Sequence, residues 1–153
     1  NKKNEESFSK FGRNIALNCA AFQSSSFEGQ PATPQNAVNG IKTKPLGFHT
    51  ALEENPWWML DFGKVEAFDN ILIYNRLDGS CAQRARTLRV LLSDDALNWT
   101  ELYAHNGTSF GGVDGNPLHI QCESSAARFV RIQLNERNYL HLVEVEIFAR
   151  KET

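Results

Sequence analysis

Apolar and polar positions alternate through most of the second half of the chain. In Trp57-Trp58-Met59-Leu60-Asp61-Phe62-Gly63, Trp58, Leu60 and Phe62 share one parity and Gly63 closes the run. Ile71 to Arg76 is β-branched and aromatic, with polar residues at its end. Leu88, Val90 and Leu92 face one side of Leu88–Ser93, and Asp94-Asp95 opens a turn before Trp99. In Phe129–Leu134 the apolar set is Val130, Ile132 and Leu134, with Arg131 and Gln133 turned out. Val143–Ile147 puts three apolar residues inward and Glu144 and Glu146 outward. A period of two marks half-buried strands. No window has the 3.6-residue period of an amphipathic helix; short helical turns are expected only near Pro34–Val38 and Ala67–Asp69. Asn14 to Gly47 is rich in Ser, Gly, Pro, Asn and Gln, which favours loops and short strands. The pattern predicts an all-β sandwich with long loops at its ends, Trp58 in the core and Trp99 packed under its turn.

Length fits one such domain: 153 residues. Residues 1–12 are polar and charged and are expected to be a flexible tail or linker, with the domain at 13–150. The apolar runs are too short for a membrane helix, and no basic segment leads into an apolar one as in a signal peptide. The net charge of −2 argues against a nucleic-acid binder that works by bulk electrostatics. Cys19, Cys81 and Cys122 form no CxxC pair, so a zinc site is not expected. One disulfide with one thiol, or three thiols, both fit. Asn98-Trp99-Thr100 and Asn106-Gly107-Thr108 read as glycosylation sequons, a triplet that is common by chance.

Catalytic signals are weak. Four histidines and three cysteines are present, yet no GxSxG elbow or cysteine signature accompanies them, and nothing selects a carboxylate pair. The polar stretch from His49 to Arg86 is more informative. Arg76-Leu77-Asp78 follows directly on an apolar strand, and Arg84 and Arg86 lie just beyond. Strand ends that feed loops are where sandwiches place binding residues. Arginine forks, a carboxylate and an imidazole together can grip vicinal hydroxyls, and Phe48 and Cys81 could cover a sugar's C–H face. The plainer alternative is a surface ion pair bracing a loop. A second cluster pairs the turn Asn36-Ala37-Val38-Asn39-Gly40 with Glu144. It suits either an Asx-type turn or an oxygen-rich calcium site.

Taken in order, Asn14-Ile-Ala-Leu-Asn18, Ala37-Val-Asn-Gly40, Pro56–Gly63, Ile71–Arg76, Leu92–Asp95 with Asn98-Trp99, Arg128–Ile132 and Leu142–Glu146 form a series. It resembles the discoidin or coagulation factor 5/8 type C domain, a galactose-binding-like, eight-stranded antiparallel jelly roll, from about Asn14 to Ala149. Within that superfamily the chain is most similar to the F-type, fucose-binding lectins. Those carry a His, 26 residues, Arg-x-Asp, four residues and a basic residue. Here His49, 26 residues and Arg76-Leu77-Asp78 match, whereas Gln83 stands at the last position and Arg84 comes one place late. The loop reads Gly79-Ser80-Cys81, without the family's adjacent cysteines.

The resemblance implies a non-catalytic carbohydrate-binding domain for fucose- or galactose-type sugars. His49, Arg76 and Arg84 would donate to hydroxyl and ring oxygens, and Asp78 would orient an arginine. Weak single-site binding, in the high micromolar to millimolar range, would call for avidity through repeats, oligomers or a larger polypeptide. The resemblance also implies one structural calcium ion, held by Asn36, Asn39, Ile41, Thr43, Val143 and Glu144, and an extracellular or cell-surface setting. Asn39 stands where the family usually has Asp, which removes one negative charge. Alternatives are an adhesion module for a protein or phospholipid, with Phe22, Phe27 and Phe110 at loop tips, and a targeting module of a glycan-active enzyme. The loops around those phenylalanines are not basic, which disfavours anionic lipid.

Overall fold

A computed structural model describes residues 11–29, 33–77 and 79–151. Its strands are β1 (Ala20–Gln23), β2 (Phe48–His49), β3 (Glu53–Glu54), β4 (Trp57–Tyr74), β5 (Leu88–Ser93) and β6 (Thr100–Ala104), followed by β7 (Leu118–Leu134), β8 (Arg137–Asn138), β9 (His141–Leu142) and β10 (Glu144–Ala149). Two 3₁₀ turns interrupt them, Pro34–Val38 and Gly79–Ala85. The first was expected. The second was not, and Ala67–Asp69 is strand rather than helix.

β4 and β7 build the sandwich. Trp58–Asp61 of β4 pairs with β1 and Trp57–Asp61 with Phe129–Gln133 of β7, while Asn70–Tyr74 pairs with β10 and Asn70–Ile73 with Leu118–Gln121. Between these halves the register slips at Asp61/Glu66 and at Phe68/Asn70, and Gly63 takes a φ of +81°. Such bulges bend a long strand. The two runs separated in the sequence pattern are therefore one bent strand. Inward residues from both halves, Trp58 and Leu60 with Ile71 and Ile73, meet in one core with Val90, Val130, Ile132, Val145 and Ile147. β5 and β6 extend the first half, in the order β1-β4-β7-β5-β6. Trp58 Nε1–H donates to the Pro34 carbonyl (2.9 Å), which ties the first 3₁₀ turn to the sheet.

The second half is covered on both faces. Leu72, Tyr74, Val143 and Phe148 form a separate buried cluster, with Phe11 packed on it. Phe11 lies 5.0 Å from the Phe148 ring, and a Cβ on Gly12 would stand 2.1 Å from the Ala149 carbonyl oxygen. Those two residues belong to the body rather than to a tail; residues 1–10 lie outside the described residues. Glu144 is also fully buried, against the expected outward position, because the loop after Val38 covers its face. Gln133, expected to face out, is 8% exposed. Cys19, Cys81 and Cys122 are all free thiols.

Candidate functional site

The two-residue strand β2 buries both its side chains, on opposite faces, Phe48 at 0% and His49 at 4% exposure. Phe48 is fully buried and stacks on Trp58 (5.8 Å), so it packs in the core and does not line the site. His49 points the other way, opposite His141 of β9. Its ring lies 4.6 Å from Phe27, 5.4 Å from Tyr139 and 5.0 Å from His141. The Arg84 guanidinium sits 4.9 Å above the Tyr139 ring. Phe27, expected at an exposed loop tip, is half-buried on His49, and Phe110 is buried. Phe22 is 47% exposed, but on strand β1.

Polar contacts hold this cluster in shape. Phe27 N–H donates to the His49 carbonyl (3.1 Å). Ser24 and Ser25 hydroxyls both donate to Glu53 Oε2, and Ser25 Oγ accepts from Ala51 N–H (2.9 Å). The segment that carries Phe27 is thus fastened beside β2. On the other side, Asn75 is fully buried. Its Nδ2 donates to the carbonyls of Ala82 (2.9 Å) and Phe110 (3.2 Å), and its Oδ1 accepts from Arg76 N–H (2.8 Å). One amide therefore joins the Arg76 strand end to the 3₁₀ turn bearing Cys81 and Arg84. A Cβ on Gly112 would stand 2.5 Å from the Asn75 carbonyl oxygen, so glycine permits that close approach. Cys81 is half-buried in its turn; Asp78 lies outside the described residues.

His49 Nδ1–H donates to the Thr50 carbonyl (2.7 Å), which leaves Nε2 as the acceptor of the neutral ring. Burial lowers the proton affinity of His49, against the Thr50 hydrogen bond, and the charges of Arg76 and Arg84 lower it further. The imidazole is neutral at pH 7. The cluster joins an imidazole acceptor, the Arg84 guanidinium and two aromatic rings. Such a set suits a ligand with hydroxyls on one face and C–H groups on another.

Of the expected His49, Arg76 and Arg84, Arg84 stacks on the Tyr139 ring that also packs on His49, and Arg76 N–H is held by Asn75. Tyr139 and Asn75 were missed, and Phe27 was assigned another role. Only the tyrosine's place just before Leu140-His141-Leu142 and the asparagine's at a strand end offered a signal.

The expected calcium ligands converge only in part. Lys44 Nζ donates to Asn39 Oδ1 (2.7 Å), the Ile41 carbonyl (2.6 Å) and Glu144 Oε1 (2.8 Å). Glu144 Oε2 accepts from Gly40 N–H (2.6 Å). Thr43 is exposed. The Val143 carbonyl faces Gly47, where a Cβ would stand 2.3 Å from its oxygen. Asn36 N–H closes its own turn onto Thr33 (3.1 Å). As folded, this set does not fit a divalent ion, because an ammonium already stands among its oxygens.

A bent β-sandwich with a polar and aromatic cluster at one loop-bearing end is the architecture of a binding module. The chain belongs to the F5/8 type C domain family, whose model matches residues 20–145. It is similar to Fucolectin-6 of Anguilla japonica, with 29% identity over 147 residues, 89% of this chain and 75% of the relative. It also resembles the lectin domain of Lectinolysin complexed with Lewis B antigen, with 31% identity and a TM-score of 0.72 over 92% of this chain and 98% of that one. A fucolectin from the serum of striped bass, Morone saxatilis, aligns with a TM-score of 0.77 and 25% identity over 93% of this chain and 49% of the other.

Proposed function

We propose that the chain is a non-catalytic lectin domain whose His49 cluster binds a fucose- or galactose-type sugar. The observation that carries this reading is the neutral His49 ring held between Phe27 and Tyr139, with the charges of Arg76 and Arg84 bearing on it. A sugar hydroxyl donates to His49 Nε2. The guanidiniums, which only donate, engage hydroxyl and ring oxygens. The aromatic rings take the apolar C–H face, including a methyl where the sugar is 6-deoxy. No bond is made or broken. The similarity to fucolectins and to a lectin domain complexed with Lewis B supports this ligand class.

A glycan array followed by titration with L-fucose and with Lewis b tests the reading. Selective signal on fucosylated or galactosylated glycans, lost in His49→Ala and in Arg76→Ala, is the expected result. A blank array with the folded chain, or binding unchanged in both variants, overturns it.

A further inference from the structure

The loop from Asn39 to Gly47 joins the first 3₁₀ turn to β2 and so leads into His49. Both its ends are anchored. Gly40, at a φ of +83°, turns its N–H onto Glu144, and Gly47 N–H donates to the Leu142 carbonyl (2.9 Å). Gly47 approaches Val143 too closely for any side chain. Between these anchors the Lys44 side chain folds back under the loop. Its ammonium has three hydrogens and meets three oxygens at 2.6–2.8 Å, one from Asn39, one from Ile41 and one from Glu144. The Glu144 side chain is closed to solvent at 0% exposure, and that of Lys44 is mostly covered at 14%.

Charge balance separates a fixed ammonium from a divalent ion. Calcium takes six to eight oxygens at about 2.3–2.6 Å, several of them anionic. This cage brings three oxygens to one point, and Asn39 in place of a carboxylate leaves Glu144 as its one anion. One ammonium neutralises one carboxylate. A divalent ion placed beside Lys44 would leave two positive charges uncompensated in a largely buried site.

We propose that Lys44 is a built-in cation that replaces a structural metal ion and positions the loop leading to the binding end. The fold and ligand binding of this chain are then indifferent to calcium. The stability measurements below stand apart from the sugar-binding reading, on which only the binding measurement rests.

Differential scanning calorimetry of the intact chain in millimolar calcium and in EDTA tests the proposal, with isothermal titration of calcium. The expected Tm difference is below about 1 °C, with no heat of calcium binding. Lys44→Gln, which stays polar but is one bond shorter and loses the charge, lowers Tm by on the order of 10 °C in either buffer. Lys44→Ala combined with Asn39→Asp frees the cage and restores a carboxylate, so its Tm rises on addition of calcium. This gain of metal dependence is a readout that a merely structural lysine would not produce. Should the double variant fail to fold, the wild-type response to calcium and EDTA decides the matter. Calcium stabilising the wild-type chain, or Lys44→Gln melting at the wild-type temperature, overturns the proposal. Wherever sugar binding is measurable, EDTA leaves the wild-type dissociation constant unchanged within about twofold; loss of binding in EDTA overturns the metal-independent part.

Discussion

Two polar clusters flank the short β2–β9 pair, and they are built on opposite plans. Around Glu144 the charges match: one ammonium, one carboxylate, and hydrogen bonds that occupy both carboxylate oxygens. Around His49 the described contacts are of another kind, aromatic rings and a backbone hydrogen bond. Burial, and after it the charges of Arg76 and Arg84, depress the proton affinity of the imidazole. Matched charges stabilise the chain by holding its own segments together. An imidazole acceptor framed by aromatic rings, with an arginine stacked on one of them, suits a polar ligand that also has an apolar face. What the polar groups of each cluster touch, rather than their number, distinguishes a brace from a site.

Four substitutions or titrations test that contrast, in descending order of effect. Glu144→Ala leaves the Lys44 ammonium buried without its counter-charge and should cost about 3–5 kcal/mol in urea unfolding. An equal loss on mutating Arg84 would abolish the distinction. Asn75→Ala removes two donors to buried carbonyls and the acceptor of Arg76 N–H. It should cost about 1–3 kcal/mol and also weaken sugar binding, because the amide holds the two arginine-bearing segments together. Arg84→Ala should reduce affinity about tenfold, roughly 1.4 kcal/mol, in titration calorimetry. Its Tm should stay within about 2 °C of wild type, since it removes no ion pair among the described residues.

The smallest effect is that of pH. The proton affinity of His49 is depressed below its ordinary value of 6.5, so the unfolded chain takes up its proton first as pH falls. Stability from this group is full above that value and declines as pH drops from it through the depressed one. Sugar affinity should hold constant down to pH 6.5 and fall only at more acid pH, measured by titration at fixed ionic strength. Affinity that rises on acidification would mean that the imidazolium is the binding form.

Residue patterns carried the fold a long way. Trp58, Leu60, Val90, Val130 and Ile132 all sit in the core where the two-residue period put them. The 3₁₀ turn at Pro34–Val38 was legible from its proline and polar composition. The joining of two runs into β4 was not, because a glycine and two bulges bend a strand without ending it. Within the site, the spacing of His49 and Arg76 could be read in the chain, whereas Tyr139 and Phe27 come from segments far away in sequence. Phe48 was read as a ligand contact because it adjoins His49; neighbours in a strand point to opposite faces.

The sequence by itself determined which residues alternate, where strands end in arginines, and that one lysine lies five positions before His49. Alternation reports two sides of a strand but not what covers each. Only the tertiary structure laid the Asn39–Gly47 loop over Glu144 and turned an outward carboxylate into a buried one. Only the tertiary structure brought Tyr139 and Phe27 to His49, since contact between distant segments depends on how the bent sheet closes rather than on local period.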